Sequence, residues 1–530
     1  MKKTSDIIYR ISVNFMMYGC LLLGFLLFLC GFLFTCFAQD MDTQQVLTAF
    51  DHPLVSILGL VVSLIGVTLV YRFISPKAAE RNGLLLKLLL LWYLVGGVIL
   101  VLFSRTVPAA DAMSVYTCAE QLALGNTGVI HPTDSYLSYY PQQVGLMGYY
   151  EILIRLWKLL PTDFPAYHIL KVINIFWAQI LLYFQYKSIQ LLFRNNRADT
   201  IYLLISFINL PLLLYTSFVY GEIPSFALFS IGVWAFIKLL TESKGKRHSI
   251  LPIAICVLSF AASVALRKNT LIPMIGVIIV SLLTALRRRS AKLALLGILF
   301  LLVSTFTLPC IQSYYEHRAN ARLSSGVPAI SYFAMGMQEA SRGAGWYNGF
   351  NFYTYQDTGM DTEATAIISK EQISRRIEEF TENPGYAASF YGRKFLSQWC
   401  DGSYASRQAT LATLGGRSQF FWDIYQGRYS QLFIGLCNIL QNIIYLGFLL
   451  WAIHIFRDRK ARQTELYLYL FAIIVMGGLL FHMIWEANSR YILPYGLLLI
   501  PYASQGIALL SEHLSFKVHA LFKKSSEKKN

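Results

Sequence analysis

Two carboxylates lie where apolar runs of the sequence end, which is where a site at a membrane surface would use them. Asp111 comes a few residues after an apolar run that ends near residue 104, and Glu222 lies in the turn FVYGEIPS. A carboxylate so placed can act as a general base on an incoming hydroxyl group or orient that group. Ordinary roles remain open for both, with Asp111 as a solvated or capping residue and Glu222 as a favourable charge at a helix N-terminus.

Basic residues occupy a very short turn between two apolar runs. The turn LRKNT contains Arg267 and Lys268, with almost no loop to solvate them. Charge at the membrane edge is costly and is usually paired or functional. A phosphate group would be a natural ligand for these two residues, and a structural ion pair with Glu222 is the alternative.

The segment WEANSRYILPY supplies Glu486, Arg490 and Tyr491 at the start of the last apolar run. Arginine can bind phosphate with a two-pronged fork that lysine cannot make. An interfacial aromatic belt with an incidental Arg-Glu pair explains the same segment. Three further basic residues are expected to be exposed, solvated charges: Arg342, Arg393 and Lys394.

Composition indicates what must position these groups. Of 530 residues, 55% are hydrophobic and only 14% are charged, and apolar runs of membrane-spanning length recur along the chain. The first run is too long for a secretory signal, so it is expected to be retained as a helix. The sequence therefore predicts an all-α polytopic membrane protein with about twelve transmembrane helices. The predicted spans are roughly 12–37, 53–73, 84–104, 167–192, 199–219, 223–240, 249–266, 270–286, 292–309, 430–455, 465–483 and 490–511.

The net charge of +16 reflects membrane topology, and no nucleic-acid partner is expected. Basic residues concentrate in short loops, which are typically cytoplasmic. These basic segments are 194–197, 244–247, 287–289, 457–462 and the tail 523–529. Both termini are therefore expected to be cytoplasmic, in a bacterial plasma membrane, and all the candidate residues above fall on the outer side.

Two outer segments are long, and every other outer connection is expected to be a tight turn. Segment 105–166 should contain a helix over ADAMSVYTCAEQLALG, closed by Gly125, and then an interfacial helix from YYPQQ onward. Segment 310–429 should contain a helix over about 368–381 and a second amphipathic helix after it. Its aromatic stretch GWYNGFNFY could stack on sugars or simply pack at the interface.

These boundaries divide the chain into five parts. They are an N-terminal transmembrane hairpin (1–80), a transmembrane core (81–309), an extracytoplasmic loop domain (310–429), C-terminal transmembrane helices (430–511) and a basic cytoplasmic tail (512–530). Cys118 and Cys400 both fall on the outer side, so a disulfide between them is possible, although sequence cannot show that they are close.

The order and side of the short motifs resemble those of the GT-C superfamily of integral-membrane glycosyltransferases. The motifs are the loop aspartate, YYP (139–141), YGEIPS, RKNT and RY-xx-P (490–494), and the similarity covers about residues 84–511. The nearest families are the bacterial protein O-mannosyltransferase and lipid A aminoarabinose transferase groups, which are glycosyltransferase family 39-like. Two features depart from that pattern: an extra hairpin over 12–73, and a single acidic residue where the family has a pair.

The resemblance implies inverting transfer of a sugar from a polyprenyl-phosphate donor to an envelope glycan, lipid or protein on the outer side. Asp111 would be the general base, and the donor phosphate would be bound by Arg267, Lys268 and Arg490. The residues expected to orient the acceptor or sugar are Glu222, Tyr139, Tyr140, Glu486 and Tyr491. Because one carboxylate is a poor Mg²⁺ site, no metal or other cofactor is predicted, although a divalent metal is not excluded.

Two other functions fit parts of the pattern. A transporter or flippase for a lipid-linked saccharide would use the same charges as a headgroup pathway, although transporters tend to show related halves with a midplane site. A non-catalytic envelope scaffold would leave Arg267 and Lys268 unexplained. Nucleotide-binding and zinc-protease motifs are absent from the outer loops, which disfavours nucleotide-fuelled transport and zinc proteolysis.

Overall fold

The protein is described by a computed structural model covering residues 2–38, 44–74, 78–133, 135–161, 164–241, 250–458 and 465–527. The basic loop at 244–247, most of the loop at 457–462 and the end of the tail 523–529 lie outside the described residues. Within these ranges the chain is predominantly helical.

The elements follow one another as helices interrupted by one strand pair. The N-terminal part contains α1 (Lys2–Leu33), β1 (Phe34–Ala38), β2 (Val46–Phe50), α2 (Pro53–Ile74) and α3 (Ala78–Phe103). The first long connection contains α4 (Asp111–Ala123), α5 (Tyr136–Tyr139) and α6 (Val144–Trp157). The central part contains α7 (Tyr167–Phe193), α8 (Asn196–Phe207), α9 (Leu210–Tyr215), α10 (Glu222–Thr241), α11 (Ile250–Leu266), α12 (Leu271–Arg288) and α13 (Ala291–Ala319).

The second long connection and the C-terminal part complete the order. The connection contains α14 (Ala329–Gly336), α15 (Phe350–Asp357), α16 (Thr362–Glu382), α17 (Pro384–Trp399), α18 (Ser406–Ala409) and α19 (Gln419–Tyr425). The last helices are α20 (Ser430–Arg457), α21 (Leu470–Ile484) and α22 (Leu493–Glu527). Short 3₁₀ turns occur at Pro141–Gln143, Lys268–Thr270, Leu466–Tyr469 and Ser489–Ile492.

The prediction of an all-α polytopic membrane protein is confirmed. Among the described residues, 9 helices are long and apolar enough to cross a membrane, and α11 is a shorter apolar helix. The helix α2 and the pair α8 and α9 lie at two further predicted spans. The predicted helix in the first long connection is α4, and Gly125 follows it with a φ of +89°.

The predicted first span is wrong at its C-terminal end. The sequence predicts a helix over 12–37 followed by a tight turn, but α1 ends at Leu33 and β1 pairs with β2 in antiparallel register. The strand also bonds beyond its partner, since the backbone N–H of Cys36 donates to the carbonyl of Cys400 at 2.9 Å. Tertiary hydrogen bonds, which no local pattern reveals, therefore select the strand conformation.

Other predicted helices differ in length or continuity. The span over 199–219 is broken, because Asn209 caps α9 and Pro211 lies in its first turn. The span over 292–309 continues to Ala319 through an internal proline. The helix over 368–381 begins earlier, at Thr362, where the side chain of Asp361 caps it.

Cys118 and Cys400 lie in different surroundings. Cys118 is buried within α4, whereas Cys400 is buried beside Cys36 of β1. All eight cysteines are free thiols.

The last helix is fixed by close packing against α20. A side chain at Gly506 of α22 would overlap the carbonyl of Gly447 in α20, so the two backbones are in direct contact. In the 3₁₀ turn that precedes α22, Ser489 donates a hydrogen bond of 2.6 Å to the carboxylate of Asp401, which follows α17. The segment that carries Arg490 is therefore held from both sides.

Candidate functional site

A cavity of about 910 Å³ lies where the two long connections meet the ends of the membrane helices. We call this the cavity end of the bundle; α3 and α21 end there, and α10 and α12 begin there. Most of the predicted site residues line the cavity: Asp111, Tyr140, Arg267, Lys268, Glu486, Arg490 and Tyr491. Glu222 and Tyr139 do not line it, and each contacts residues beside it.

The basic side of the cavity is organised around Glu222. Its Oε1 atom lies 2.9 Å from Nη2 of Arg267 and 3.7 Å from Nε of Arg490. The side chains of Glu222 and Arg267 are only 9% and 10% exposed. The carboxylate thus joins two guanidinium groups that are 223 residues apart in the sequence. Of the two alternatives for the basic turn, the structure contains the ion pair, and both arginines still line the cavity.

Aromatic rings support the two arginines. The guanidinium carbon of Arg267 lies 4.3 Å from the ring centre of Tyr220, and that of Arg490 lies 5.6 Å from the same ring. The hydroxyl of Tyr220 accepts a hydrogen bond of 2.6 Å from Gln143. A side chain on Gly221 would come within 2.8 Å of Arg267 and 2.7 Å of the carbonyl of Leu266, so glycine is required there.

Glu222 and Arg490 each have a polar atom that is not used in a hydrogen bond among the described residues. Within the described chain, Oε2 of Glu222 and Nε of Arg490 are buried without a hydrogen-bond partner. Lys268, exposed in the adjoining 3₁₀ turn, adds a third cation to the cavity wall. The cavity wall therefore offers three cationic side chains to an anion.

Asp111 is the first residue of α4, and its side chain is exposed. Ala110 occupies the N-cap position, with a φ of +46°, and no side chain caps this helix end. Asp111 is therefore not a capping residue. Its carboxylate lies at the cavity wall, where it can meet a ligand.

Glu486 is the second carboxylate of the cavity and is 7% exposed. Burial raises its pKa to about 7, with the guanidinium of Arg490 acting in the opposite direction and the charge of Asp111 raising it further. Tyr491 donates a hydrogen bond of 3.4 Å to it. This carboxyl is poised between its two protonation states near neutral pH.

The two tyrosines of the YYP motif have different surroundings. Tyr140 lines the cavity, whereas the ring of Tyr139 stacks on Phe352 of α15 at a centroid distance of 5.0 Å. The prolyl residue after them begins the 3₁₀ turn that leads into α6. Tyr139 thus joins the two long connections beside the cavity.

Lys394 was expected to be a solvated charge, and this prediction is wrong. Its side chain is completely buried, and Nζ donates to the carbonyls of Gly336 and of Trp485, the latter at 2.7 Å. Burial lowers its pKa to about 7, and Glu486 acts in the opposite direction. Arg393, in contrast, is half-exposed and pairs with Glu339 at 2.6 Å.

An aromatic and amide-bearing wall adjoins Asp111 and Glu486. It contains Tyr140, Arg342 and Trp485, together with three residues of the stretch GWYNGFNFY and with residues that no motif singled out, namely Tyr332, Gln408 and Gln44. The sequence signal for part of this wall was the stretch GWYNGFNFY, of which Trp346, Tyr347 and Asn351 line the cavity. No local pattern indicated Tyr332, Gln408 or Gln44.

An apolar groove continues the cavity along two helices. Its residues are Ile272, Ile275 and Ile279 of α12 and Ile473, Leu480 and Phe481 of α21. Ile275 is 57% and Leu480 is 68% exposed. The groove therefore leads from the basic side of the cavity along the lipid-facing surface of the bundle.

The cavity wall, as far as the structure describes it, carries two acidic residues. Asp111 and Glu486 are the acidic residues of the described cavity wall, and the described residues include no group of three or more His, Cys, Asp or Glu side chains that could hold a metal ion. The wall of this one cavity carries two carboxylates together with the cations of Arg267, Lys268 and Arg490.

The fold and the cavity define the class of the protein: an all-α, multi-pass integral membrane protein with a charged cavity at one end of its helices. The chain belongs to the family described as "Conserved hypothetical integral membrane protein", whose model matches residues 9–506. No curated protein matches it.

One similar solved structure is the archaeal oligosaccharyltransferase AglB from Archaeoglobus fulgidus, in complex with an inhibitory peptide and a dolichol-phosphate. The sequence identity is 11% and the TM-score is 0.44, and the match covers 85% of this chain. The chain spans 52% of the length of that protein.

Proposed function

We propose that the protein is a GT-C-type membrane glycosyltransferase, which moves a sugar from a polyprenyl-phosphate-linked donor to an acceptor on the outer side of a bacterial plasma membrane. The observation that carries this proposal is the continuity of the apolar groove with the cluster of Arg267, Lys268 and Arg490. A polyprenyl phosphate combines an apolar chain with an anionic headgroup, and this surface offers a complement to each.

The cations act on the leaving group. As the bond between the anomeric carbon and the phosphate oxygen breaks, its electron pair passes to that oxygen, and negative charge develops on the phosphate. Fixed cations in a water-poor site stabilise such charge strongly. Arg490 and Arg267 each present a planar fork of N–H donors, and Lys268 presents a compact point charge.

Asp111 acts on the acceptor. The acceptor hydroxyl oxygen attacks the anomeric carbon from the face opposite the phosphate, which inverts the configuration, and its proton passes to the carboxylate of Asp111. The exposed position of Asp111, without a capping role, leaves its oxygens available for this transfer. Glu486, Tyr140 and Tyr491 orient the sugar or acceptor.

Glu222 acts differently from what the resemblance implies. Because its carboxylate pairs with Arg267 and does not line the cavity, it positions the arginines and does not touch the acceptor. Tyr139, stacked on Phe352, similarly acts by joining the connections.

The test uses purified protein in lipid nanodiscs with a set of polyprenyl-phosphate sugars and follows the release of free polyprenyl phosphate. Asp111→Asn should release it about 10² to 10⁴ times more slowly than the wild type. The matched control is Asp357→Asn, an exposed residue at the end of α15, which should retain the wild-type rate.

Equal rates in the wild type and Asp111→Asn would show that Asp111 is not the base. If no donor releases lipid phosphate, yet labelled donor lipid crosses a vesicle membrane, the protein is a flippase and the proposal fails.

A further inference from the structure

The aromatic and amide-bearing wall has its own chemistry, distinct from that of the cations and the groove. Its rings are those of Tyr140, Tyr332, Trp346, Tyr347 and Trp485. Tyr332 and Trp485 stack almost parallel, with centroids 4.9 Å apart. Trp346 is fixed by a hydrogen bond of 3.0 Å from its indole N–H to Ser397. Tyr332, Trp346 and Trp485 are therefore held by contacts within the protein.

Tyr347 presents an accessible ring on this wall. Its side chain is among the exposed large residues, at 37%, and the guanidinium of Arg342 lies 6.0 Å from its centre. Burial raises the pKa of Tyr347, and the charge of Asp111 is the next contribution. Tyr347 and Asp111 line the same cavity.

Two side-chain amide oxygen atoms on the wall have no hydrogen-bond partner among the described residues. The Oδ1 atom of Asn351 and the Oε1 atom of Gln408 are buried without a hydrogen bond in the described part of the chain, and both residues line the cavity. Asn351 is 1% exposed. Buried amides that remain unpaired are unfavourable, so their position on a cavity points to a ligand that supplies hydroxyl groups.

The strand pair near the N-terminus completes the wall. Gln44, which precedes β2, lines the cavity, and the backbone N–H of Val46 donates to the carbonyl of Arg342 at 2.9 Å. The extra hairpin that distinguishes this sequence from the GT-C pattern therefore contributes directly to the wall and fixes the backbone of Arg342.

We propose that this wall is the acceptor subsite and that its ligand is a saccharide. A pyranose ring has a C–H face that packs on Tyr347 and hydroxyl edges that bond to Asn351 and Gln408. The inference rests on the proposed function, because it uses Asp111 as the base for the acceptor hydroxyl. A lipid acceptor would require an apolar surface, whereas this wall presents rings beside side-chain amides. A peptide could also bond to such amides, so a peptide is included among the probes.

Binding is measured by saturation-transfer NMR on the full chain in nanodiscs, without donor, so that the result does not depend on catalysis. The probes are methyl glycosides of glucose, galactose, mannose and N-acetylglucosamine, and a serine- and threonine-rich decapeptide. At least one glycoside should bind. Tyr347→Ala should weaken that binding about tenfold, and Tyr347→Phe, which keeps the ring, should restore most of it.

Tyr353→Ala is the matched control, because Tyr353 is an exposed tyrosine of the neighbouring helix α15 that does not line the cavity. It should bind glycosides as the wild type does. The saccharide assignment is overturned if no glycoside binds, if the decapeptide binds and displaces the glycosides, or if Tyr347→Ala and Tyr353→Ala bind equally well.

Failure of the proposed function has a different signature. One outcome is that glycosides bind at Tyr347 while Asp111→Asn releases polyprenyl phosphate as fast as the wild type. That result supports the saccharide subsite and contradicts the catalytic role of Asp111. If donor turnover depends on Asp111 while glycosides do not bind, the reverse holds.

Discussion

Replacing Glu222 by glutamine tests whether the buried carboxylate organises the basic side of the cavity. The substitution keeps the size of the side chain and removes its charge. Arg267 and Arg490 then remain beside each other in a largely buried site, without the anion that joins them. Both the stability of the protein and its response to phosphate should change.

The magnitude follows from the two separations. At an effective dielectric constant of about 20, the contact of 2.9 Å corresponds to about 6 kcal/mol and that of 3.7 Å to about 4 kcal/mol. Much of this attraction offsets the cost of burying the charges. Removing one partner of a buried pair typically destabilises a protein by about 3 to 5 kcal/mol, which is the loss expected for Glu222→Gln.

The assay is reversible unfolding in mixed micelles, compared with Glu465→Gln as a control. Glu465 also pairs with two arginines, Arg287 and Arg288, but all three side chains are about one-third exposed. Solvent screens such pairs, so the control should lose no more than about 1 kcal/mol. If the two variants lose equal stability, burial does not determine the contribution of Glu222.

Phosphate gives the second readout. If Arg267 and Arg490 bind the donor headgroup, polyprenyl phosphate should stabilise Glu222→Gln more than it stabilises the wild type, because the headgroup replaces the missing carboxylate. Saturation at about a hundred times the dissociation constant would stabilise the variant by about 2.7 kcal/mol. An equal gain in the stability of both proteins would show that the headgroup does not bind at Arg267 and Arg490.

Two further predictions concern Arg490 and Glu486. Arg490→Lys loses the planar fork and should raise the KM for donor about tenfold, whereas Arg428→Lys, at a side chain 72% exposed, should not change it. An unchanged KM in Arg490→Lys would exclude a forked contact. Because burial raises the pKa of Glu486 to about 7, the wild type should lose stability as pH rises from about 5 to 8 and Glu486 must ionise. Glu486→Gln lacks this loss. The free energy of unfolding of the variant, measured across that range, should therefore increase relative to that of the wild type as pH rises. Lys394 titrates in the upper part of the range with the opposite sign. Removing the charge of Glu486 lowers the pKa of Lys394 further, which also favours the variant as pH rises, so a constant difference would contradict the assigned pKa.

The sequence predicted the helices well because membrane spans depend on local hydropathy. Asp111 could likewise be placed at the start of a helix, since α4 shows apolar periodicity and ends before Gly125. The break between α8 and α9 was missed, because Asn209 and Pro211 lie inside an otherwise apolar run. The strand pair was missed because its hydrogen bonds involve residues such as Cys400 that are remote in sequence.

The cavity wall was harder to predict, because burial there depends on tertiary packing. Lys394 lies in a polar-looking segment, and nothing local indicates that carbonyls of Gly336 and Trp485 will surround its ammonium group. Glu222 was recognised as a candidate, but its role depends on the meeting of Arg267 with Arg490, which only the fold brings about.

These buried contacts also make the second long connection part of the site and not an accessory to it. The linker between α21 and α22 is held by Lys394 at the carbonyl of Trp485 and by Gly345, whose carbonyl accepts from the N–H of Ala487 at 2.7 Å. That linker carries Glu486 and leads directly to Arg490. The cations that would bind the donor and the aromatic wall that would bind the acceptor are therefore attached to the same framework. Their separation is thus set by the helices of the second long connection as well as by the membrane helices.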